Sequence, residues 1–311
     1  MLDSGLIPLL LALLLDLLLG DLPNRYHPVA WMGTGIGLVR HLAPPRGRWQ
    51  RCLYGAVVVI GGAALVGGIG VSVEVLLHLL PQPLYWLAEA YVLKTTLALR
   101  GLVRAAHQVQ EALAAGDLER ARHLVSWHLV SRDTTQLNAS QIAAATVESV
   151  AENASDGIIA PLVYYALGGL PVALAYRFIN TADAMLGYRD PEREWLGKVP
   201  ARLDDLVNLV PARLTAGFLL LATQLLGGPI RRAWGVWCRD ARQTASPNAG
   251  QPMSVMAGAL GVELEKIGYY CLGAGQPPPT AQHIPAAVRL VYWAVAVAVG
   301  MLAMVQLLVK I

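Results

Sequence analysis

Charge is what this chain has least of. Of its 311 residues only 14% are charged, against roughly 25% in an ordinary soluble domain. Meanwhile 55% are hydrophobic, and the mean hydropathy is +0.48. A soluble fold of this length has no use for so much apolar surface, so the shortage of charge points to a helical integral membrane protein. Lysine and arginine number 24 against 21 acidic residues, a formal charge of +3, which is too slight an excess to point to nucleic acid. Cysteine is scarce as well: Cys52, Cys238 and Cys271 stand far apart with no CxxC pair, which argues against a disulfide framework and structural zinc. No GxxxxGK[ST] phosphate loop and no GxSxG elbow occurs. The glycine-rich Gly33-Thr34-Gly35-Ile36-Gly37 has no strand before it, so a Rossmann reading fails. The start, Met1-Leu2-Asp3-Ser4, lacks a basic n-region and a small-residue cleavage site, so the first apolar run reads as a retained helix.

What is present is a series of apolar runs separated by polar segments. Residues 6–19 are nearly all leucine, short of the roughly 20 residues of a span. Residues 53–80 form the clearest span, and its glycines, among them Gly62 and Gly70, suit close helix approach. A tight turn at Pro81 and Pro83 leads into a helix over 84–103 that carries Glu89 and Lys94, the lysine read as snorkelling to the interface. Residues 104–156 read as soluble helices: Gly116 closes one, Asp117 caps the next, and a third starts after Asn138 or Ser140 and runs to about Asn153. The apolar stretch 157–187 is interrupted at Gly168-Gly169-Leu170-Pro171, a broken span or re-entrant hairpin. Further apolar runs follow at 214–228 and 286–309. The chain is therefore read as all-α and polytopic, a single membrane-embedded domain with four to five transmembrane helices. Its polar segments are 20–51, 104–156, 188–213 and 229–285. Basic residues cluster at 40–51, 100–132, 189–213 and 231–242, and the positive-inside rule places all four clusters on the cytoplasmic side.

Several polar clusters carry residue types suited to chemistry. Glu148 and Glu152, four apart, share a helix face where like charges repel unless a cation sits between them. Asp156 extends that edge. Oxygen ligands with open positions for phosphate are what Mg²⁺ takes, and a solvated acidic face is the plain alternative. Asp204-Asp205 with Asn208 repeats the pattern, and Asp183 stands three after Asn180 at the end of an apolar run, where a carboxylate is costly and usually serves a function. A capping or inter-helix hydrogen bond is the alternative there. Arg132, Arg177, Arg202 and Arg213 are candidate anion binders, since guanidinium matches phosphate and carboxylate geometry. Inside positive charge is their alternative role. His27 lies in a Tyr-His-Pro turn.

Taken together these segments resemble one family, the membrane-bound adenosylcobinamide-phosphate synthases of cobalamin biosynthesis called CbiB or CobD, nearly end to end. Gly20-Asp21 through His27-Pro28-Val29 resembles the family's GDPP…HPV opening, and Ser131-Arg132-Asp133-Thr134 resembles its SRDT box. Glu148 to Gly157 resembles the ES-AEN-SDG box. Asn180-Thr181-Ala182-Asp183 through Gly187-Tyr188 resembles NTxDSMxGY. Ala201 to Asn208 with Pro211-Ala212-Arg213 resembles ARLDDxxNxxPAR, and Ser246 to Gly250 resembles SPNAG. Three positions depart: Leu22 replaces a second proline, Ala184 an often-seen serine, and Gln251 a common aromatic.

The resemblance implies an ATP-consuming amide ligation. A propionate carboxylate of adenosylcobyric acid is joined to (R)-1-amino-2-propanol or its O-phosphate, at a site facing the cytoplasm on the inner membrane. ATP and Mg²⁺ are the implied cofactors. Corrinoid, amine and lipid bilayer are the implied partners, with no nucleic acid, and a homo-oligomer or a complex with other cobalamin-assembly enzymes is left open. Glu148, Glu152, Asp156, Asp204 and Asp205 are the metal-ligand candidates. Arg132, Arg202 and Arg213 are candidates for phosphoryl stabilisation, and Asp183 or His27 for the base, with Glu152 and Asp205 also counted as catalytic. Asp133, Asn153, Asn180, Asn208, Ser246 and Asn248 are candidates for substrate binding. A small-molecule transporter also fits the broken helices and intramembrane polar groups, a membrane-embedded transferase using paired Asp motifs on a lipid-linked substrate is a further class, and a regulatory protein of the related β-lactamase-regulation family shares the general architecture.

Overall fold

The computed structural model describes residues 3–187 and 193–308. Tyr188, at the end of one motif, lies outside them, as does part of the 188–213 segment. Among the described residues the fold is all-α apart from one short hairpin, and it divides into two compact units, one built from Met1–Ala98 and Ala160–Asn208, the other from Leu99–Ile159 and Leu209–Leu308.

The first unit holds α1 (Asp3–Leu19), α2 (Pro28–His41), α3 (Arg48–Leu77), α4 (Gln82–Lys94), α8 (Ala160–Leu186) and α9 (Lys198–Val207). Its organising contact is α3 on α8, and glycine makes it. A Cβ on Gly62 would run into the Phe178 ring, and one on Gly70 would lie 2.7 Å from the Pro171 Cα. At Gly70 the helices thus meet backbone to backbone, and at Gly62 the Phe178 ring packs onto bare backbone, the close approach expected of these glycines. Beneath them Val59, Phe178, Ile179, Ala182 and Leu186 form the core with Ile36 and Leu196. The outer face of α3 carries exposed Leu53, Val57, Ile60, Leu65, Ile69 and Val75, a contiguous apolar surface of the kind that lipid covers. The break anticipated in 157–187 is real: Gly168 and Gly169 depart from helical geometry inside α8. Gly169 has φ +67°, and an added Cβ there would lie 2.9 Å from Glu74 Oε1.

The second unit holds α5 (Leu99–Ala114), α6 (Leu118–His128), α7 (Ala139–Ala154), a π-helical turn (Ser155–Ile159), α10 (Leu209–Leu225), α11 (Ile230–Asp240), α12 (Gly250–Leu260) and α13 (His283–Leu308), with the hairpin β1 (Leu264–Lys266) and β2 (Tyr270–Leu272). Here the helices are amphipathic. α5 buries Leu99, Leu102, Ala105, Ala106, Val109 and Ala112, a stripe at helical spacing. Asp117 caps α6 by accepting from the Arg120 N–H at 3.0 Å. Asn138 and Gln141 form a reciprocal capping box at the start of α7, each bond 2.9 Å.

Two expectations change. The helix read over 84–103 is two helices: Thr95 and Thr96 turn their hydroxyls back onto the Val92 and Leu93 carbonyls, both at 2.7 Å, and the chain restarts at Leu99. Lys94, read as snorkelling, is instead buried, 3% exposed, at the end of α4, because the break turns it into the unit rather than along its outside. Among the described residues three helical runs are long and apolar enough to cross a membrane, within Arg48–Leu77, Ala139–Leu186 and His283–Val305, or four if α9 and α10 are counted as one span. The lower end of the expected four to five is thus reached only with that pair, because the apolar part of α1, Gly5–Leu19, falls short of the roughly 20 residues a span needs. All three cysteines are free.

Candidate functional site

In the second unit α7 carries Glu148 and Glu152 to the wall of a hollow of about 260 Å³, lined also by Ser131, Arg132, Ser149, Lys266 and Tyr270. Glu148 is 5% exposed. Its Oε2 lies 3.6 Å from Arg132 Nη2, while its Oε1 and the Arg132 Nε are buried without a hydrogen-bond partner. The SRDT loop that delivers Arg132 is held from both sides. Thr134 Oγ1 donates to the Arg122 carbonyl at 3.0 Å, and Arg122 Nε donates to the Leu137 carbonyl at 2.9 Å. Asp133 accepts from the Thr135 N–H at 2.9 Å, and that bond holds its carboxyl below the usual range. Asp133 thus shapes the loop from outside and does not line the hollow. Asn153 likewise donates to the Ser149 carbonyl at 2.9 Å and Oγ at 3.1 Å. Asp156 sits in the π-helical turn, where the extra residue per turn takes it off the regular four-residue spacing of Glu148 and Glu152.

Lys266 and Tyr270 are the residues that sequence reading missed. They face each other across the hairpin, next to Leu264 paired with Leu272. Alternation along a strand puts 264 and 266 on one face, with 270 and 272 opposite them. Leu264 and Leu272 are fully buried and anchor that face, so Lys266 and Tyr270 project from it into the hollow. Gly268, at φ +77°, makes the three-residue turn. Burial raises the Tyr270 phenol pKa, and the Glu148 and Glu152 charges add to the shift, so the phenol stays a donor at neutral pH.

Elsewhere in the second unit Arg213 Nη1 donates to the Leu209 carbonyl at 2.7 Å and reaches Asn248 Oδ1 at 3.5 Å. Asn248 is buried, and its N–H donates to Ser246 Oγ at 3.3 Å. A hollow of about 590 Å³ beside Arg213 is lined by Trp234, Trp237, Arg239, Arg242 and Gln251. Gln251, standing where the family often has an aromatic, accepts from Trp237 Nε1 at 2.9 Å and donates to the Pro247 carbonyl at 3.1 Å.

In the first unit Arg177 Nη1 donates to Asn180 Oδ1 at 3.1 Å, and Asn180 Nδ2 donates to Asp204 Oδ1 at 3.3 Å. Asn208 is 1% exposed. Its Oδ1 accepts from the Tyr176 hydroxyl at 2.9 Å, while its Nδ2 has no partner. The sharing of a face by Asp204 and Asn208 is therefore tied into α8. Asp205 turns the other way, into a hollow of about 310 Å³ lined by Gly187, Glu194, Gly197, Lys198, Ala201 and Arg202, with Arg202 Nη1 at 3.8 Å from its Oδ2. Asp183 is half-buried on α8, and its carbonyl accepts from the Gly187 N–H at 2.7 Å. His27 caps α2, its Nδ1 accepting from the Val29 N–H at 3.2 Å. Burial chiefly lowers its pKa, opposed by Asp21 and reinforced by Arg177 and Lys94. Among the described residues no three His, Cys, Asp or Glu side chains converge as a metal cage.

The CobD/Cbib protein family model matches residues 9–291. The chain is 42% identical over 270 residues to the probable cobalamin biosynthesis protein CobD of Methanothermobacter thermautotrophicus, covering 85% of this chain and 86% of that one. It is 42% identical over 255 residues to the cobalamin biosynthesis protein CobD of Klebsiella pneumoniae, covering 81% and 80%. With the probable cobalamin biosynthesis protein CobD of Methanocaldococcus jannaschii it shares 37% identity over 271 residues, 86% and 88% of the two chains. No solved structure matches it.

Proposed function

The chain belongs to the CobD/CbiB family of cobalamin biosynthesis, and from that premise we propose that it catalyses an ATP-dependent amide ligation. A propionate carboxylate of adenosylcobyric acid is joined to 1-amino-2-propanol or its O-phosphate. The observation that carries the reading is the hollow of Arg132, Glu148 and Glu152, which sets buried acid and base chemistry beside an arginine in a chain of this family. A carboxylate and an ammonium do not condense unaided. The corrinoid carboxylate attacks the γ-phosphorus of ATP and ADP leaves, giving an acyl phosphate. The amine then attacks the acyl carbon, inorganic phosphate leaves, and a base takes the proton lost by the nitrogen.

Mg²⁺ fits Asp205 better than Glu148. It keeps several waters and takes one or two carboxylates plus substrate phosphates. Asp205 is 24% exposed and shares its hollow with Glu194, whereas Glu148 is buried with the Arg132 guanidinium already 3.6 Å from its Oε2, a cation that disfavours a metal ion beside it. Bound there, the ion would supply charge neutralisation to the transferring phosphoryl group, with Arg202 and Lys198 as further cations. Glu152 is then the base nearest an amine held against Glu148, with Asp183 and His27 as the alternatives in the first unit. Asp204, Asn180 and Asn208 hold α9 against α8, Asp133 and Asn153 hold the SRDT loop and Ser149, and Arg213, Ser246 and Asn248 form a third cluster open to substrate. We place the protein in the inner membrane with these polar segments toward the cytoplasm, on the strength of its arginine distribution. Membranes carrying the protein should form a new corrinoid amide from adenosylcobyric acid and the amine only when ATP is present. An amide formed equally without ATP, or none formed at all, overturns the reading.

A further inference from the structure

Lys94 carries a charge to which the ligation reading gives no task. It ends α4, and only 3% of it is exposed. Among the described residues its ammonium makes no hydrogen bond and no ion pair. An ammonium taken out of water is costly, so a buried lysine is normally paired. The C-terminus of α4 offers partial negative charge, which is too weak to replace the lost water. Two acceptors there are already taken, because the Thr95 and Thr96 hydroxyls donate to the Val92 and Leu93 carbonyls.

The surroundings of Lys94 in the first unit are rich in donors. The His27 ring lies within electrostatic range of Lys94, Arg177 and Asp21. His27 Nδ1 accepts from the Val29 N–H at 3.2 Å, so the neutral ring carries its proton on Nε2 and is a donor there. Arg177 is steered by Asn180, which accepts from its Nη1 at 3.1 Å and donates to Asp204 at 3.3 Å. Asp21 is exposed, and so is a weak counter-charge for a buried ammonium. We propose that Lys94 is a binding residue for an oxyanion, and that with His27 and Arg177 it receives one of the anionic groups of the ligation. A compact ammonium is a point charge that suits phosphate and carboxylate alike. The cost of burying it falls on the empty protein and is relieved when the oxyanion arrives. The ligation reading supplies the two sources of that anion, a phosphoryl group or the corrinoid carboxylate, but the binding can be measured without reaction.

The test is thermal unfolding of the full-length protein in detergent, parent against Lys94→Met, each with chloride, inorganic phosphate or propionate at equal ionic strength. Methionine keeps the stem and removes the charge. If Lys94 served the fold, the variant would unfold at lower temperature. An ammonium held for an absent ligand predicts the opposite, and Lys94→Met should unfold several degrees higher, as removal of an unmatched buried charge allows. Phosphate, propionate or both should raise the unfolding temperature of the parent more than that of Lys94→Met. Excluded anions such as phosphate stabilise any fold, but they do so equally in the two proteins. A response to phosphate assigns Lys94 to the phosphoryl group, and one to propionate assigns it to the carboxylate. Amide formation in membranes should fall about 100-fold in Lys94→Met, the loss typical of one oxyanion donor. A variant less stable than the parent overturns the proposal, since a fixed carboxylate such as buried Asp16 on the adjoining α1 would then already match the ammonium. An anion response equal in both proteins, or ligation that keeps most of the parent's rate, also overturns it. An anion response that depends on Lys94 in a protein whose membranes form no corrinoid amide would overturn the ligation reading and leave the oxyanion site standing.

Discussion

Two hollows in this protein have nearly the same ionic composition and different depth. The one in the second unit sets Glu148 and Glu152 against Arg132 and Lys266. The one in the first sets Glu194 and Asp205 against Lys198 and Arg202. In the first pair of acids Glu148 is buried at 5% exposure with one oxygen unpartnered. In the second, Arg202 is 76% exposed at the side chain and Asp205 24%. Depth changes what the same charges do. A buried pair interacts strongly and punishes a ligand that leaves either member unmatched, so it discriminates. A wet pair interacts weakly and lets water come and go, so it discriminates less.

The contrast breaks or sharpens under substitution. The largest effect belongs to Glu148→Ala. Truncating one member of a buried charged pair costs about 2–5 kcal/mol, so ligation should fall by roughly 30-fold or more at 1.36 kcal/mol per tenfold. Steady-state kinetics on the purified protein reads this, and a fall under threefold would make the two hollows equivalent. Asp205→Ala should cost less, about tenfold, because water replaces an exposed ligand. Its signature is a raised Mg²⁺ requirement that excess Mg²⁺ partly restores, and an unchanged Mg²⁺ titration would remove Asp205 from the metal. Next is Gly169→Ala in the broken α8. At φ +67° and ψ −161° a side chain is strained by about 1–3 kcal/mol, and its Cβ would crowd Glu74, so thermal unfolding should shift down by several degrees, with activity per folded molecule retained. A variant as stable as the parent would show that the break is not held by glycine.

How much of this was legible beforehand follows from the range of the interactions. The break in α8 could be read because glycine and proline act locally, and the capping of α6 and α7 by Asp117 and Asn138 for the same reason. Arg132 and Glu148 stood out because their boxes are compact in sequence. Their meeting at 3.6 Å was not legible, since it depends on how Thr134 and Arg122 fold the SRDT loop back. Lys266 and Tyr270 escaped because a strand of three residues shows too little alternation to register inside a polar segment of 229–285. Asn153 and Asp133 looked like ligand-binding groups from their type, and their hydrogen bonds show them holding backbone and neighbouring side chains.

The smallest effect separates the hollows most cleanly. Arg202 lies 3.8 Å from Asp205 and is 76% exposed, and an exposed ion pair is worth about 0–1 kcal/mol. Arg202→Ala should therefore leave the unfolding temperature within about 4 °C of the parent, since 1 kcal/mol moves a chain of this size by roughly 2–4 °C. Its effect should appear instead as a severalfold rise in the KM for ATP that shrinks as salt is added, because exposed charges beyond about 10 Å are screened at 0.1 M ionic strength. The corresponding change in the other hollow, Arg132→Ala, leaves buried Glu148 without its cation, so its cost should persist at high salt. If both substitutions respond alike to salt, burial does not distinguish the two sites, and the discriminating role assigned to the deeper one falls with it.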